Sequence, residues 1–186
     1  MSTTGFSLFA TPIGACGIAW GPHGLTGVQL PEQDADATRK RMHARFPRIP
    51  EAAPPEPVQS AIDRIVALLH GQPSEPSDLS DIVLDMADVP PFHQRVYALA
   101  RQMAPGETTT YGAMAGRLGE PGAARAVGQA LGHNPFAPVV PCHRILAANG
   151  RSGGFSADGG ARTKLRLLEI EGAHFGGPGL FDTLPG

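Results

Sequence analysis

The stretch TTTYGAMAGRLGEPGAARAVGQALGHNP, residues 108–135, contains two short helical segments separated by a turn. The first segment follows threonines that can cap a helix, and it ends at Gly119. The second segment begins near Gly122 and is stopped by Asn134 and the proline after it. Two helices joined by about four residues have the spacing of a helix-turn-helix unit. The sequence therefore predicts such a unit here.

The second helix of this unit has very small side chains around one long basic residue, in the order Ala123, Ala124, Arg125, Ala126, Val127 and Gly128. A helix that reads the major groove of DNA normally carries several Arg, Asn or Gln side chains. One interpretation is a closely packed helix pair, because small side chains let two backbones approach. The other is a surface for the minor groove, which is about 6 Å wide. In that case Arg125 could enter the base stack and hold the gap left by an extruded base.

The first half of the chain predicts a small sheet with helices packed on it. Residues 6–31 contain short apolar stretches interrupted by TPIG and GPHG, which is typical of a β-meander. Helices are predicted over 34–46 and 58–71, with a proline-rich loop over 47–57 between them. Residues 81–91 resemble a strand that ends at two prolines.

After these prolines the pattern becomes mainly helical. Further helices are predicted over 92–106 and 159–172. We therefore divide the chain into an N-terminal α/β domain at 1–90, a C-terminal domain at 91–175 and a flexible tail at 176–186.

Composition restricts the class of protein without naming it. The 186 residues carry a formal net charge of -2, which does not indicate a nucleic-acid partner. The charge is uneven, because residues 1–90 hold 6 Lys and Arg against 11 Asp and Glu, and residues 91–186 hold 9 against 6. The sequence shows neither a signal peptide nor an apolar run of the roughly 20 residues that a membrane helix needs. Two cysteines are too few for a disulfide framework, so we expect a reducing, cytoplasmic environment.

Cys142, His143 and Arg144 follow one another after the apolar segment 137–140. A neighbouring base or cation stabilises a thiolate, so Cys142 is a candidate nucleophile. Adjacent residues on a strand point to opposite faces, so Cys142 and His143 can cooperate directly only at a turn or a helix start. Pro141 fits a change from strand to turn at this point. The alternative is that Cys142 is a small buried hydrophobic residue.

Several other kinds of cysteine site are excluded by spacing. The cysteine-phosphatase loop needs arginine where this chain has Ala148. Cys16 and His23 are too isolated to supply the four ligands of a zinc site, and there is no C-x-x-C motif. We therefore expect neither a metal nor another cofactor.

The motifs TYG, ARAVG, NP and PCHR occur in an order and spacing that closely resemble the O6-alkylguanine-DNA alkyltransferase family, also called methylated-DNA–protein-cysteine methyltransferases. The resemblance covers roughly residues 91 to 173. It implies an α+β or α/β fold, with a ribonuclease H-like N-terminal β-sheet with helices and a mostly helical C-terminal domain of the winged helix-turn-helix type. This sequence departs from the family in two places. Ile145 replaces the commoner valine, and the segment between Phe155 and Lys164 is longer by about two residues.

The resemblance implies catalytic roles for five residues. Cys142 matches the alkyl acceptor, and His143 matches the base that polarises the thiol through a water molecule. Glu171 matches the carboxylate that orients the histidine, and Asn134 matches a brace near the thiol. Tyr111 matches the residue that promotes rotation of the target nucleotide and donates a proton toward the departing guanine.

The resemblance also implies a DNA-binding surface and a base pocket. Arg125 matches the side chain that fills the vacated stack. The other DNA-binding positions are Thr110, Ala123, Ala124 and Gly128. The pocket positions are Leu131, Ile145, Phe155 and Ser156.

The implied function is DNA repair by direct reversal of damage. An alkyl group passes from O6-alkylguanine, or from O4-alkylthymine, in duplex DNA to Cys142, once per molecule. The implied partner is double-stranded DNA with no membrane, bound by a monomer, with cooperative binding left open. For a bacterial protein we expect association with the nucleoid. The rival hypotheses are a Cys-His acyl hydrolase, a helix-turn-helix regulator and a lesion-binding protein without transfer.

Overall fold

The computed structural model describes residues 4–71, 79–148 and 160–173 of a mixed α/β protein. The chain divides into two compact units. The first comprises the described residues up to Val89 together with Pro135–Val140. The second comprises Pro90–Asn134 and the described residues from Pro141 onward.

The first unit begins with the predicted meander. Strands β1 (Gly5–Thr11), β2 (Gly14–Gly21) and β3 (Gly24–Gln29) form an antiparallel sheet in the order β1-β2-β3. The turn into β3 requires Gly24, whose φ is +128° and whose missing Cβ would lie 2.7 Å from the Val83 carbonyl oxygen. Any side chain at this position would strain the backbone and collide with the neighbouring segment.

Two helices accompany the sheet in this unit, and both confirm the sequence prediction. Helix α1 (Ala35–Arg45) is capped by Asp34, whose carboxylate accepts a hydrogen bond of 2.8 Å from the Ala37 amide. Helix α2 (Glu56–Leu69) buries one apolar face, as its periodicity indicates. Phe6, Ala19 and Met42 form a core cluster that joins α1 to the sheet.

The strand predicted over 81–91 is not formed. This segment makes only an isolated bridge between Leu25 and Leu84, and it then turns. The carboxylate of Asp85 accepts a hydrogen bond of 3.0 Å from the Ala87 amide, which bends the backbone away from an extended path. Pro90 and Pro91 have no amide proton with which to continue a ladder.

The second unit contains the predicted helix pair. Helix α3 (Pro91–Ala100) precedes a short strand β4 (Thr109–Thr110), helix α4 (Tyr111–Arg117) and helix α5 (Ala124–Gly132). Strand β4 pairs in parallel with β5 (Ile145–Leu146). Helix α6 (Ala161–Ile170) is the last described element. Helix α3 ends sooner than the sequence predicted, since its last helical residue is Ala100.

Helix α3 fixes the helix pair through two side chains. The buried Tyr97 hydroxyl donates a hydrogen bond of 2.6 Å to the Ala130 carbonyl of α5. Arg95 donates to the Leu118 carbonyl at 2.7 Å and pairs with Glu120 at 2.8 Å, so it holds the connection between α4 and α5. The orientation of α5 is therefore set by packing against α3.

The apolar segment before Cys142 is also different from its prediction. Residues 137–140 form turns and a bend where the sequence suggested a strand, and the Val140 amide donates to the Phe136 carbonyl at 3.1 Å. Among the described residues, no helix combines the length and the apolar character needed to cross a membrane.

Candidate active site

The thiol of Cys142 lies at the start of a single 3-10 turn, Cys142–Arg144, which begins after Pro141. The Arg144 amide closes this turn with a hydrogen bond of 3.0 Å to the Pro141 carbonyl. A turn places two successive side chains in one environment, which a strand would not do. Cys142 and His143 are both buried, with 3% and 0% of their surface exposed.

The Cys142 thiol needs a proton acceptor in order to react. Burial raises its pKa, although a hydrogen bond from the Asn134 side chain and the charge of Lys164 act in the opposite direction. Asn134 is itself buried, and its role as a brace near the thiol stays a prediction. A thiol with a raised pKa is protonated at neutral pH, and only a base beside it can supply the thiolate.

The imidazole of His143, the next residue in the turn, is the candidate for this base. Its Nε2 lies 2.7 Å from Oε1 of Glu171, and its Nδ1 is buried with no hydrogen-bond partner in the part of the chain that the structure describes. Burial lowers the pKa of His143 in spite of the neighbouring carboxylate, so the ring is neutral at neutral pH. A neutral ring that donates from Nε2 has a free acceptor at Nδ1.

The position of Arg144 in the sequence suggested that its charge acts on the thiol, but in the structure it has a different partner. Its guanidinium instead donates hydrogen bonds to the carboxylate of Glu171, from Nη2 to Oε1 at 2.7 Å and from Nε to Oε2 at 3.0 Å. Its Nη1 donates to the Met103 carbonyl at 2.7 Å. A buried carboxylate is a strong partner for a planar guanidinium, because the two groups can form parallel charge-assisted hydrogen bonds.

Lys164 is the cation that acts on the thiol, and the sequence analysis did not identify it. The side chain is 1% exposed, and its Nζ donates a hydrogen bond of 2.8 Å to the Ile145 carbonyl. The sequence does contain a signal for a buried lysine, since Lys164 lies three and four positions before the buried residues Leu167 and Leu168 and so on the same face of the helix. A lysine on the apolar face of a helix needs a partner inside the protein.

Tyr111 begins helix α4, which the Thr110 hydroxyl caps by accepting a hydrogen bond of 3.1 Å from the Ala113 amide. The ring packs against Gly128 of α5, where a Cβ would lie 3.3 Å from its edge. Burial and then the charge of Cys142 raise the pKa of the phenol, so it is protonated and able to donate.

A groove of about 510 Å³ opens between helices α4 and α5. It is lined by Thr110, Tyr111, Gly112, Ala124, Arg125, Gly128, Gln129 and Ala148. Arg125 is exposed, while Ala123 and Ala124 are partly buried at the beginning of α5. The structure thus places the small residues and the single arginine beside the tyrosine.

The predicted pocket residues are only partly described. Leu131 and Ile145 are buried, at 4% and 0% exposure, and neither lines the groove. Their role in a base pocket stays a prediction. Phe155 and Ser156 lie outside the described residues. Within the described ranges, no group of three or more His, Cys, Asp or Glu side chains could hold a metal ion.

The fold and the site together define a mixed α/β protein with a helix pair next to a buried Cys-His-Glu arrangement. Residues 91–173 match the family described as 6-O-methylguanine DNA methyltransferase, DNA binding domain. The chain is 36% identical to the methylated-DNA–protein-cysteine methyltransferase of Mycobacterium tuberculosis over 161 residues, which are 87% of this chain and 88% of that protein. It is 33% identical to the protein of the same name from Methanothermobacter thermautotrophicus, over 89% of this chain and 84% of that protein.

Solved structures agree with this relationship. The M. tuberculosis OGT in complex with DNA has a TM-score of 0.71 at 35% identity, covering 89% of this chain and 91% of that chain. The O6-methylguanine-DNA methyltransferase of Pyrococcus kodakaraensis has a TM-score of 0.70 at 26% identity, covering 90% and 99%. The chain belongs to the methylated-DNA–protein-cysteine methyltransferase family.

Proposed function

We propose that this protein repairs DNA by moving an alkyl group from O6 of guanine in duplex DNA to Sγ of Cys142. The observation that carries this proposal is the buried thiol of Cys142, held beside a neutral imidazole and next to the groove-lining Tyr111. A single reactive sulfur in this setting suits one displacement reaction.

The groove between α4 and α5 supports binding to the minor groove of DNA. The α5 surface beside it carries small side chains, so the helix can approach more closely than its usual diameter of roughly 10–12 Å permits. We propose that Thr110 and backbone amides at the start of α4 hold phosphates. Arg125 is exposed on this surface, where it can fill the space left by an extruded base.

Extrusion brings the damaged base to the sulfur. An alkylated guanine pairs poorly, so turning it out of the helix costs less than for a sound base, for which the cost is about a few kcal/mol. Neither Cys142, Leu131 nor Ile145 lines the groove, so the base has to pass beyond it to reach the sulfur. We propose that Leu131, Ile145, Phe155 and Ser156 surround the base once it has entered.

The transfer step requires two proton movements. His143 takes the Cys142 proton through a water molecule, and the resulting thiolate attacks the alkyl carbon in line with the bond to O6. The new carbon–sulfur bond forms as the carbon–oxygen bond breaks, and the electron pair remains on the guanine. Tyr111 donates its proton to this guanine and recovers one from solvent, while His143 releases the proton it took from Cys142 to solvent, so the net transfer is one proton from the thiol to the guanine.

The product explains why each molecule acts once. A thioether has no electrophilic carbonyl carbon, so water cannot regenerate the thiol as it does with an acyl-enzyme. The same displacement is available to O4-alkylthymine, which presents an alkyl group on an equivalent oxygen. No cofactor takes part in this mechanism, and a monomer is sufficient for it.

We also propose the finer features of the fold. The three-stranded meander with its helices supports a ribonuclease H-like domain over 1–90, and the α4–α5 pair with β4 and β5 supports a winged helix-turn-helix domain over 91–175. The predicted tail, 176–186, lies outside the described residues. We propose a cytoplasmic location, with association with the nucleoid if the protein is bacterial.

Intact-mass measurement tests the proposed function. The protein is mixed with an excess of duplex oligonucleotide containing O6-methylguanine, and we expect a permanent gain of one methyl group per chain. Cys142→Ala should gain no mass yet bind the same duplex, while Cys16→Ala, a control at the other thiol, should be methylated normally. Binding without any mass gain by the unmodified chain, or repair of more than one lesion per chain, would refute the proposal. Repeating the experiment with O4-methylthymine tests the second substrate.

A further inference from the structure

The carboxylate of Glu171 is shared between two side chains, and Arg144 makes most of the contacts. Its guanidinium provides Nη2 at 2.7 Å and Nε at 3.3 Å from Oε1, and Nε at 3.0 Å from Oε2. His143 provides a single contact, from Nε2 to Oε1 at 2.7 Å. All three side chains are nearly inaccessible, at 6%, 0% and 2% exposure for Arg144, His143 and Glu171.

The guanidinium is held at both ends. Its third nitrogen donates to the Met103 carbonyl at 2.7 Å, so every nitrogen of Arg144 is engaged. A planar group fixed in this way presents its two remaining donors in one orientation only. The carboxylate that receives them cannot rotate, and Oε1 stays directed at His143.

The arrangement also balances charge. Burial alone would favour the neutral acid, but the hydrogen bonds and charges of His143 and Arg144 lower the pKa of Glu171 to about 2. With Arg144 present, the ionised carboxylate already has a full counter-charge. It therefore has less tendency to draw a second proton onto the imidazole.

We propose that Arg144 is a positioning residue for alkyl transfer, which orients the Glu171 carboxylate and neutralises its charge. As a result, His143 carries its single proton on Nε2 and keeps Nδ1 free to receive the proton of Cys142. The inference rests on the proposed function, because it assigns a role within that reaction. It concerns the second residue after the nucleophile. From its position in the sequence alone, its positive charge would be expected to act on the thiol.

The proposal predicts a change in pH dependence as well as in rate. Three charged groups face His143: Glu171 raises its pKa, whereas Arg144 and Lys164 of α6 lower it. In Arg144→Gln the carboxylate loses its counter-charge while Lys164 is unchanged, so His143 should become the doubly protonated imidazolium at a higher pH than in the wild type. The imidazolium cannot accept a proton, so the acid limb of the transfer rate should move upward by about one unit. At neutral pH the rate should fall by up to about 100-fold, within the contribution of a general base.

The experiment measures single-turnover methyl transfer from about pH 5 to pH 9 for the wild type, Arg144→Gln and Arg144→Lys. Arg144→Lys keeps the positive charge but loses the paired hydrogen-bond donors of the planar guanidinium. The acid limb of its pH–rate profile should therefore lie nearer to that of the wild type, while its rate remains reduced. Arg39→Gln is the matched control, because it breaks an exposed ion pair with Glu51 and should leave the profile unchanged. An Arg144→Gln profile that is lower but not displaced would show a structural role only and overturn the proposal.

A second measurement needs no variant. Nitrogen NMR of the wild-type protein at neutral pH should show His143 as the neutral tautomer with its proton on Nε2. An imidazolium, or a proton on Nδ1, would overturn the proposal even if all variants fail to fold. A wild-type protein that shows the expected tautomer but transfers no methyl group would instead refute the proposed function.

Discussion

The ammonium nitrogen of Lys164 lies 5.8 Å from the centre of the Tyr111 ring. The charge of Arg144 is paired with the Glu171 carboxylate. Lys164 is therefore the buried cation that lowers the pKa of the Cys142 thiol, against the effect of burial. Burial lowers the pKa of Lys164 itself to about 8, and the charge of Cys142 partly restores it. The cation is therefore charged at neutral pH and loses its charge as pH rises through about 8.

Replacing this cation should slow the formation of the thiolate. We expect Lys164→Met to raise the pKa of Cys142 and to reduce the rate of methyl transfer at neutral pH by about tenfold, which corresponds to one pKa unit. The deficit should shrink above about pH 8, where wild-type Lys164 also loses its proton. Single-turnover rates across this range provide the measurement. Arg166→Met, an exposed change on the same helix, is the control, and an equal deficit at every pH would contradict the electrostatic role.

The position of Tyr111 should depend on the missing side chain of Gly128. A Cβ there would lie 3.3 Å and 3.4 Å from two ring carbons, so Gly128→Ala must move the ring by a few tenths of an ångström. We expect methyl transfer to slow by about tenfold while affinity for duplex DNA changes little, because positioning errors act mainly on the reaction step. Gly132→Ala on the same helix, whose Cβ would meet no atom within 4 Å, is the matched control. Its helix should instead be stabilised by up to about 1 kcal/mol. Equal rates for the two variants would contradict this prediction.

Arg125 should matter only where a base stack has to be held open. We expect Arg125→Ala to slow methyl transfer from duplex DNA by about 10- to 100-fold, since extrusion costs about a few kcal/mol. Transfer from a single-stranded oligonucleotide carrying the same lesion should be affected much less. The ratio of the two rates is the measurement. A similar loss on both substrates would indicate that Arg125 contributes general phosphate attraction instead.

The lowered pKa of Glu171 predicts a loss of stability in acid. Its pKa is about 2 in the folded protein against an ordinary value of 4.5. A depressed carboxyl pKa contributes stability above the unfolded value, and this contribution, on the order of 3 kcal/mol, is lost as pH falls from about 4.5 to about 2.

Urea unfolding at a series of pH values tests this assignment. Glu171→Gln should be less stable at neutral pH by about 3 kcal/mol, because it leaves Arg144 buried without a counter-charge, and its stability should vary less with pH across this window. Glu51→Gln, at an exposed ion pair, should retain the wild-type slope. A Glu171→Gln protein with the same pH dependence as the wild type would contradict the prediction.

Local patterns in the sequence were sufficient for most of the secondary structure. The meander, the helix pair and the amphipathic helix α2 depend on turn residues, caps and periodicity, which act over a few residues. The same reasoning was wrong over residues 81–91 and at the segment before Cys142. Apolar residues there suggested strands, but a strand needs a partner along its whole length, and the sequence does not show whether one is available.

The sequence by itself determined the reactive thiol, its neighbouring histidine and the small-residue helix, because each is a contiguous motif. Only the tertiary structure decided which charged side chain pairs with which partner. Arg144, two residues after Cys142, pairs with Glu171, while Lys164, 22 positions after Cys142, lies inside the site and acts on the sulfur. The physical reason is that buried charges must be paired where they lie in space, and this pairing depends on the packing of α6 against the Cys142–Arg144 turn rather than on distance along the chain.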